Sequence, residues 1–476
     1  MSYLKNLYKE MDIKLKYPLE RMVLRKMRGR GGIKELIRIA LPFVLSMLSF
    51  TVLGFVDRVF LSWYSIEAVA AAMPALSLTW LFFCIFTGTA GYINTFIAQY
   101  YGANDKRHVA KMFWQGVYFS LMAIVPFLLC LPLGRMLINY FHGSAGFVEQ
   151  ELIYFSILMQ GGFLAILLQV PASFFSGLGK THINMYATFI QVIVNLLFDY
   201  LLIFGNFGFP QMGMAGAALA TVLAWASSVL FYFGLIFQKK YRLKFRIHKL
   251  YQFNKVLFVK LLKYGLPNGL SFFVGEMSFA FFNLIIGLLG TVAMAASNIV
   301  ISIYLFAVLP VFGFGLATSV LIGQYIGRKK RKICDKIIFN VFMLTFIYVF
   351  FVLWMIFGLE NVLLGVFNKT GLAEFEEITL IAKKLILLFP ILLVGEIVYQ
   401  IYANALNGAG DTKFKMWAIF VITFIFMSLE YVVIVMWGRP IMYIWLLAGL
   451  HYFVMGLVLY FRYKMGVWKT INIHGD

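Results

Sequence analysis

The chain has 476 residues, of which 62% are hydrophobic and only 13% charged, with a mean hydropathy of +0.86. A water-soluble fold cannot solvate that much apolar surface, so the bilayer must act as solvent for most of the chain. A net charge of +21 would suggest nucleic acid in a soluble protein, but here Lys and Arg gather in short loops between apolar runs, which argues against such a partner.

Residues 1–35 read as a basic arm on the cytoplasmic side, ending in the flexible stretch RGRGG, and lack the continuous apolar run of a signal peptide. Apolar runs of about twenty residues then predict twelve transmembrane helices. They fall near 36–62, 67–99, 109–134, 151–176, 183–205 and 214–238, then 259–288, 292–324, 335–358, 378–406, 415–437 and 440–462. The domain organisation that follows is an N-lobe over 36–238, a basic cytoplasmic linker over 239–258, a C-lobe over 259–464 and a cytoplasmic tail over 465–476. Loops after even-numbered spans carry the Lys and Arg, including Lys180, the run 239–249, Lys329, Lys330, Lys413 and Lys415. Loops after odd spans hold only Arg135, Lys369 and Arg439. Both termini are therefore expected inside, in a plasma or bacterial inner membrane.

One unit is written twice. Leu41, Pro42, Leu45 and Ser46 return as Leu266, Pro267, Leu270 and Ser271, at an offset of 225 residues that persists through Gly88 and Gly313 to Gln99, Tyr100, Gly102 and Gln324, Tyr325, Gly327. Later the offset becomes 231: Gly177, Gly179 and Thr181 match Gly408, Gly410 and Thr412, and Asp199 matches Glu430. The expected fold is an all-α integral membrane protein, twelve transmembrane helices in two six-helix lobes related by a pseudo-twofold axis along the membrane normal. A cleft between such lobes is the expected substrate site.

Five carboxylates fall inside the apolar runs: Asp57, Asp199, Glu276, Glu396 and Glu430. Each costs at least about 2.5–3.5 kcal/mol at bilayer depth if ionised, so each should face a cavity or a partner. No Lys or Arg stands at mid-membrane to pair with them. Burial from water favours the neutral form of a carboxyl group, which suits a proton-coupled site, and an ionised set would suit Na⁺ or a cationic substrate. Gln191, Asn195 and Asp199 recur at i, i+4 and i+8, a polar ladder on one helical face. Asp57 could reach the same face, with an interfacial pair to Arg58 as the structural alternative. Glu276 and Glu396, the latter one turn before Gln400, mark a second pathway or a structural hydrogen-bonding role, and Glu430 could be interfacial. Abundant Phe, Met and Tyr would suit flat hydrophobic cations, though most of them must form ordinary lipid-facing and packing surface, and composition alone does not choose the pocket. Cys84, Cys130 and Cys334 form no disulfide or metal pattern, the six His show no ligand spacing, and no catalytic constellation appears, so an enzyme is not expected.

In order and spacing, LPFVLS with Asp57 and EAVAAA, AQYYGAND, VPASFFSGLGKT, NLLFDYLLIFG and GMAGAALAT resemble the multidrug and toxic compound extrusion (MATE) transporters. YGLPNGL, the Glu276 segment, GQYIGRKK and ALNGAGDT carry the resemblance through the second lobe, so that it covers about residues 33–465. It implies an antiporter that exports organic, often cationic compounds or drugs in exchange for H⁺ or Na⁺ by alternating access, with no cofactor. Carried over residue by residue, it implies a proton or Na⁺ site at Asp57, Asn195, Asp199 and Thr221, with Gln191 on the same face. In the second lobe it implies a cation or substrate site at Glu276 and Glu396, to which Glu430 is added from the repeat. Glu396 is Glu where Asp is more familiar, and Leu53 stands where some members place Tyr. The expected partners are the lipid bilayer and small organic substrates, with a monomer as the functional unit. A lipid or lipid-linked saccharide flippase of the same broader superfamily is the alternative, disfavoured because its cavity should be cationic and this one is acidic.

Overall fold

The computed structural model describes residues 29–141, 145–367 and 375–471, together with 27 and 473. Most of the predicted basic arm therefore lies outside the described residues. Among them, twelve helices are long and apolar enough to cross a membrane. In chain order they are α1 (Ile33–Tyr64), α2 (Ile66–Gly102), α3 (Lys106–Leu128), α4 (Ala145–Gly177), α5 (Thr181–Phe204), α6 (Met214–Ile236), α7 (Lys255–Leu288), α8 (Thr291–Gly327), α9 (Lys332–Gly358), α10 (Phe389–Ala409), α11 (Thr412–Met436) and α12 (Met442–Met465). In lipid every backbone group must be satisfied within the segment, and the uninterrupted apolar runs fold as helices for that reason.

Helix ends follow from local chemistry. Ser65 caps α2 by accepting from Ala68 N, Asp105 caps α3 by accepting from His108 N, and Asn254 caps α7 by accepting from Leu257 N. The repeat extends into the turns. Asn104 and its image Lys329 both adopt positive φ, and Asp105 N and Lys330 N donate back to Tyr100 O and Tyr325 O, each at 2.9 Å. Gly179 and its image Gly410 do likewise after α4 and α10, at φ 73° and 95°, where a side chain would be strained.

The tenth span departs from expectation. The run predicted as one helix over 378–406 is two pieces, Phe375–Ile386 and Phe389–Ala409, separated at Leu387–Leu388 with Pro390 in the first turn of the second. Proline lacks the N–H that would continue the ladder and suits a first turn, so the chain stops and restarts there. The third span is likewise divided, its last part forming a separate helix Cys130–Phe141. The described part of the tail packs back: Trp468 is 1% exposed and stacks on Tyr463.

Each lobe has its own core, one around Phe96, Phe113, Phe155 and Phe174, the other around Ile286, Leu321, Phe389 and Leu459. Two helices cross between them. The first turns of α1, through Leu36, Ile39 and Ala40, belong to the second core, and those of α7, through Leu257 and Leu261, belong to the first. The crossing is tight because glycine sits there. A Cβ at Gly88 would lie 2.8 Å from Gly269 Cα, and one at Gly313 would lie 3.1 Å from Val44 N. Gly88 and Gly313 are one repeat pair, and Val44 and Gly269 are another. The lobes thus meet across a twofold-related seam in the half nearer the basic loops, referred to below as the basic face.

Candidate functional site

α5 carries its polar ladder into the first lobe. Gln191, Asn195 and Asp199 are all buried, the last two at 0% exposure. Asp57, in the half of α1 away from the basic loops, is half-buried beside them, with its carboxyl next to that of Asp199. Asn195 lies between. The surrounding donors and acceptors orient its amide so that the nitrogen donates to Asp57 Oδ1 at 2.9 Å and to Asp199 Oδ2 at 3.2 Å. Its oxygen then faces Thr221 Oγ1 of α6 at 3.5 Å. Asp199 Oδ1 is buried with no hydrogen-bond partner. The four residues that the resemblance brought together are thus contiguous.

Arg58 does not pair with Asp57; its Nε donates to Gly54 O on its own helix at 2.7 Å. Gln191 sits one turn below the cluster and accepts from Ser228 Oγ at 3.4 Å. Sequence reasoning missed Tyr154 of α4. It is 4% exposed and lies beside Thr221, within electrostatic reach of Asp57 and Asp199. One tyrosine in an apolar run carries no pattern, and nothing in its spacing singles it out.

Two carboxyl groups brought onto one amide nitrogen in a dry site share a proton or keep one member neutral, since like charges so close cannot both persist there. Removing that proton frees oxygens that a positive ion or an organic cation can take. The two carboxyls and the Thr221 hydroxyl offer oxygens, and a turn of the Asn195 amide, whose nitrogen now faces the carboxyls, would complete an all-oxygen set suited to a hard cation such as Na⁺.

The second lobe is arranged differently. Glu396 of α10 is 2% exposed and satisfied, accepting from Gln400 Nε2 at 2.8 Å and Tyr304 OH at 3.4 Å. Glu276 of α7 is exposed, within electrostatic reach of Cys84 across the seam and of Tyr452 in its own lobe. Glu430 of α11 is buried, and its Oε2 has no hydrogen-bond partner. The three surround Tyr452 but share no coordination sphere, and no group of three or more metal-ligating side chains occurs among the described residues. His451 is packed, stacked on Phe426 and bonded to Thr423 Oγ1 at 3.1 Å.

One expectation needs correction. Lys415, assigned to a solvated basic loop, is 4% exposed inside α11, and its Nζ donates to Asn268 Oδ1 at 2.7 Å. Asn268 Nδ2 in turn donates to Gly88 O at 2.9 Å. Charge counting placed Lys415 outside because α11 begins at Thr412, three residues earlier than its apolar run suggests.

The chain matches the family model MatE twice, over residues 42–201 and 267–432. The two stretches start at the repeat pair Pro42 and Pro267 and end 231 residues apart, reproducing the internal duplication. Among curated proteins it is 28% identical over 396 residues to a probable multidrug resistance protein NorM of Thermotoga maritima, covering 82% of each chain. It is 26% identical over 450 residues to the uncharacterized transporter YisQ of Bacillus subtilis, covering 91% of this chain and 94% of that one. Its fold resembles a solved structure described as the outward-facing conformation of a multidrug resistance MATE family transporter of the MOP superfamily, with a TM-score of 0.82 at 19% identity over 94% of this chain and 98% of that one.

Proposed function

The chain belongs to the MatE family, and we propose that it is a secondary active antiporter exporting organic, cationic and hydrophobic compounds in exchange for an inward ion. The relatives include proteins described as probable multidrug resistance proteins, which supports drugs as substrates, and the acidic first-lobe site supports their being cationic. The observation that carries the reading is the Asp57–Asp199 pair bridged by Asn195 in a dry lobe interior. It favours H⁺ as the coupling ion, because two carboxyls brought onto one amide away from water hold a shared proton more readily than two negative charges. The unpartnered Asp199 Oδ1 is the feature that favours Na⁺ instead.

In this reading the basic face is cytoplasmic, in the cell membrane. Substrate binds between the lobes while Asp57 and Asp199 are deprotonated. A proton arriving from outside joins the two carboxyls, α1 and α5 draw together, and the altered cleft releases the substrate. One positive charge moving inward across 100 mV releases about 2.3 kcal/mol, enough for roughly a fifty-fold gradient of a neutral substrate. A monovalent cationic substrate exchanged for one proton gains nothing from the potential and relies on the pH gradient.

The test is efflux of a fluorescent organic cation from proteoliposomes under an imposed H⁺ gradient, then a Na⁺ gradient. H⁺-driven efflux that Asp57→Asn removes supports the reading. Na⁺-driven efflux alone would transfer the same site to Na⁺. Folded protein inactive under both gradients would contradict the reading.

A further inference from the structure

The duplicated segments include two glutamines, Gln99 and Gln324, and four glycines that ion coupling leaves unused. The structure gives them a common task. Gln99 of α2, in the first lobe, donates through Nε2 to Gly408 O of α10, in the second, at 2.8 Å. Its repeat image Gln324 of α8 donates through Nε2 to Gly177 O of α4 at 2.9 Å. The acceptors Gly408 and Gly177 are themselves a repeat pair. The same two bonds are therefore made reciprocally across the pseudo-twofold axis, at the basic ends of four helices.

The glycines one turn on set how closely the lobes can approach. A Cβ at Gly102 would stand 2.1 Å from Gln324 O, and one at Gly327 would stand 2.0 Å from Gln99 O, so backbone meets backbone where no side chain fits. The seam is also built to be released. The side-chain oxygens of Asn94 and Asn407, on the helices that carry Gln99 and Gly408, are buried with no hydrogen-bond partner. A buried unpaired acceptor penalises the closed state and is relieved on hydration. A cavity of about 940 Å³, lined by Gln99, Asp105, Gly327 and Lys330 among others, opens onto the same place, so water has a route to the bonds once they part. A buried apolar contact there would have no such exchange partner, whereas an amide–carbonyl bond can be traded for water at small net cost.

We propose that Gln99 and Gln324, with the close backbone contacts allowed by Gly102 and Gly327, form a twofold latch that holds the basic ends of the lobes together and opens once per transport cycle. The proposal rests on the alternating-access reading above. These four are positioning residues. They lie at the far end of the helix bundle from the carboxyl pair, about 27 Å away by the rise of α5 from Thr181 to Asp199.

The test is a distance measurement on the full chain in lipid nanodiscs. Spin labels are placed at the exposed positions Arg107 and Lys413, one on each lobe, with the three native cysteines replaced by serine. The wild-type background should show a dominant short distance and a minor long one. Gln99→Met and Gln324→Met keep length and volume but lose the donor. Each should raise the long-to-short ratio by about five-fold, and the pair by roughly twenty-five-fold, if each loses one net hydrogen bond independently. Gly102→Ala with Gly327→Ala should leave only the long distance, in protein that remains monodisperse and still binds the organic cation. Two wild-type populations whose ratio none of these variants changes would overturn the latch alone. A single distance in wild type under H⁺, Na⁺ and substrate, unchanged in the glycine variants, would overturn both the latch and alternating access.

Discussion

On α5 of the first lobe the ladder reads Gln191, Asn195, Asp199; at the matching positions of α11 in the second lobe it reads Ile422, Phe426, Glu430. The helices, turns and seam contacts repeat, yet this face changes from polar to apolar. In the first lobe the carboxyl at its end meets a second one and an amide, with Thr221 and Tyr154 beside them. In the second, Ile422 and Phe426 pack with Val274, Ile419 and Met455, leaving Glu430 as the acidic member of an otherwise apolar face. The second lobe carries its satisfied acid on α10 instead, where Gln400 and Tyr304 hold both oxygens of Glu396. Duplication of a fold thus does not duplicate chemistry. A carboxyl pair has a protonation state that a ligand can change, whereas a carboxylate held by fixed neutral donors is better suited to shaping a pocket.

Substitutions can break this contrast, beginning with the strongest. Asp199→Asn and Asp57→Asn should each lower ion-driven efflux by about a hundred-fold or more, since either removes the shared proton site, while thermal unfolding in detergent changes little. Tyr154→Phe, which removes the hydroxyl beside Thr221 and the carboxyl pair, should lower the rate by about five- to ten-fold, the effect of losing one buried polar group, and is read from initial efflux rates. Glu396→Gln should raise the substrate KM about three-fold and leave the ion dependence intact, because it changes a charge in the second lobe without touching the coupling pair. Smallest of all, Lys415→Met should leave transport unchanged and raise Tm by a few degrees. It exchanges a buried ammonium that no carboxylate reaches among the described residues for an apolar side chain of similar length.

Much of this contrast could be read before the fold was seen. The twelve spans follow from run length and the two lobes from the repeat, because a bilayer leaves few alternatives to apolar helices. The polar ladder was legible since its residues recur at helical spacing inside an apolar run. Three features were not. Tyr154 is one of 26 tyrosines in the chain, and only the packing of α4 against α6 brings it to the site. Lys415 looked solvated because an early helix start buries a residue that charge counting assigns to a loop. The break in the tenth span hides in an otherwise apolar stretch, at Leu387–Leu388 just before a helix that starts at Phe389 with Pro390 in its first turn. Each depends on contacts or chain stops that periodicity does not encode.

The central claim is that coupling resides in the first lobe. It is tested most directly by comparing proton-driven efflux of a fluorescent organic cation in proteoliposomes for Asp199→Asn and for the triple variant Glu276→Gln, Glu396→Gln, Glu430→Gln. The account predicts that Asp199→Asn loses all gradient dependence, while the triple variant keeps it with a weakened substrate affinity. Gradient-driven efflux that survives in Asp199→Asn and disappears in the triple variant would contradict it and move the coupling site to the second lobe.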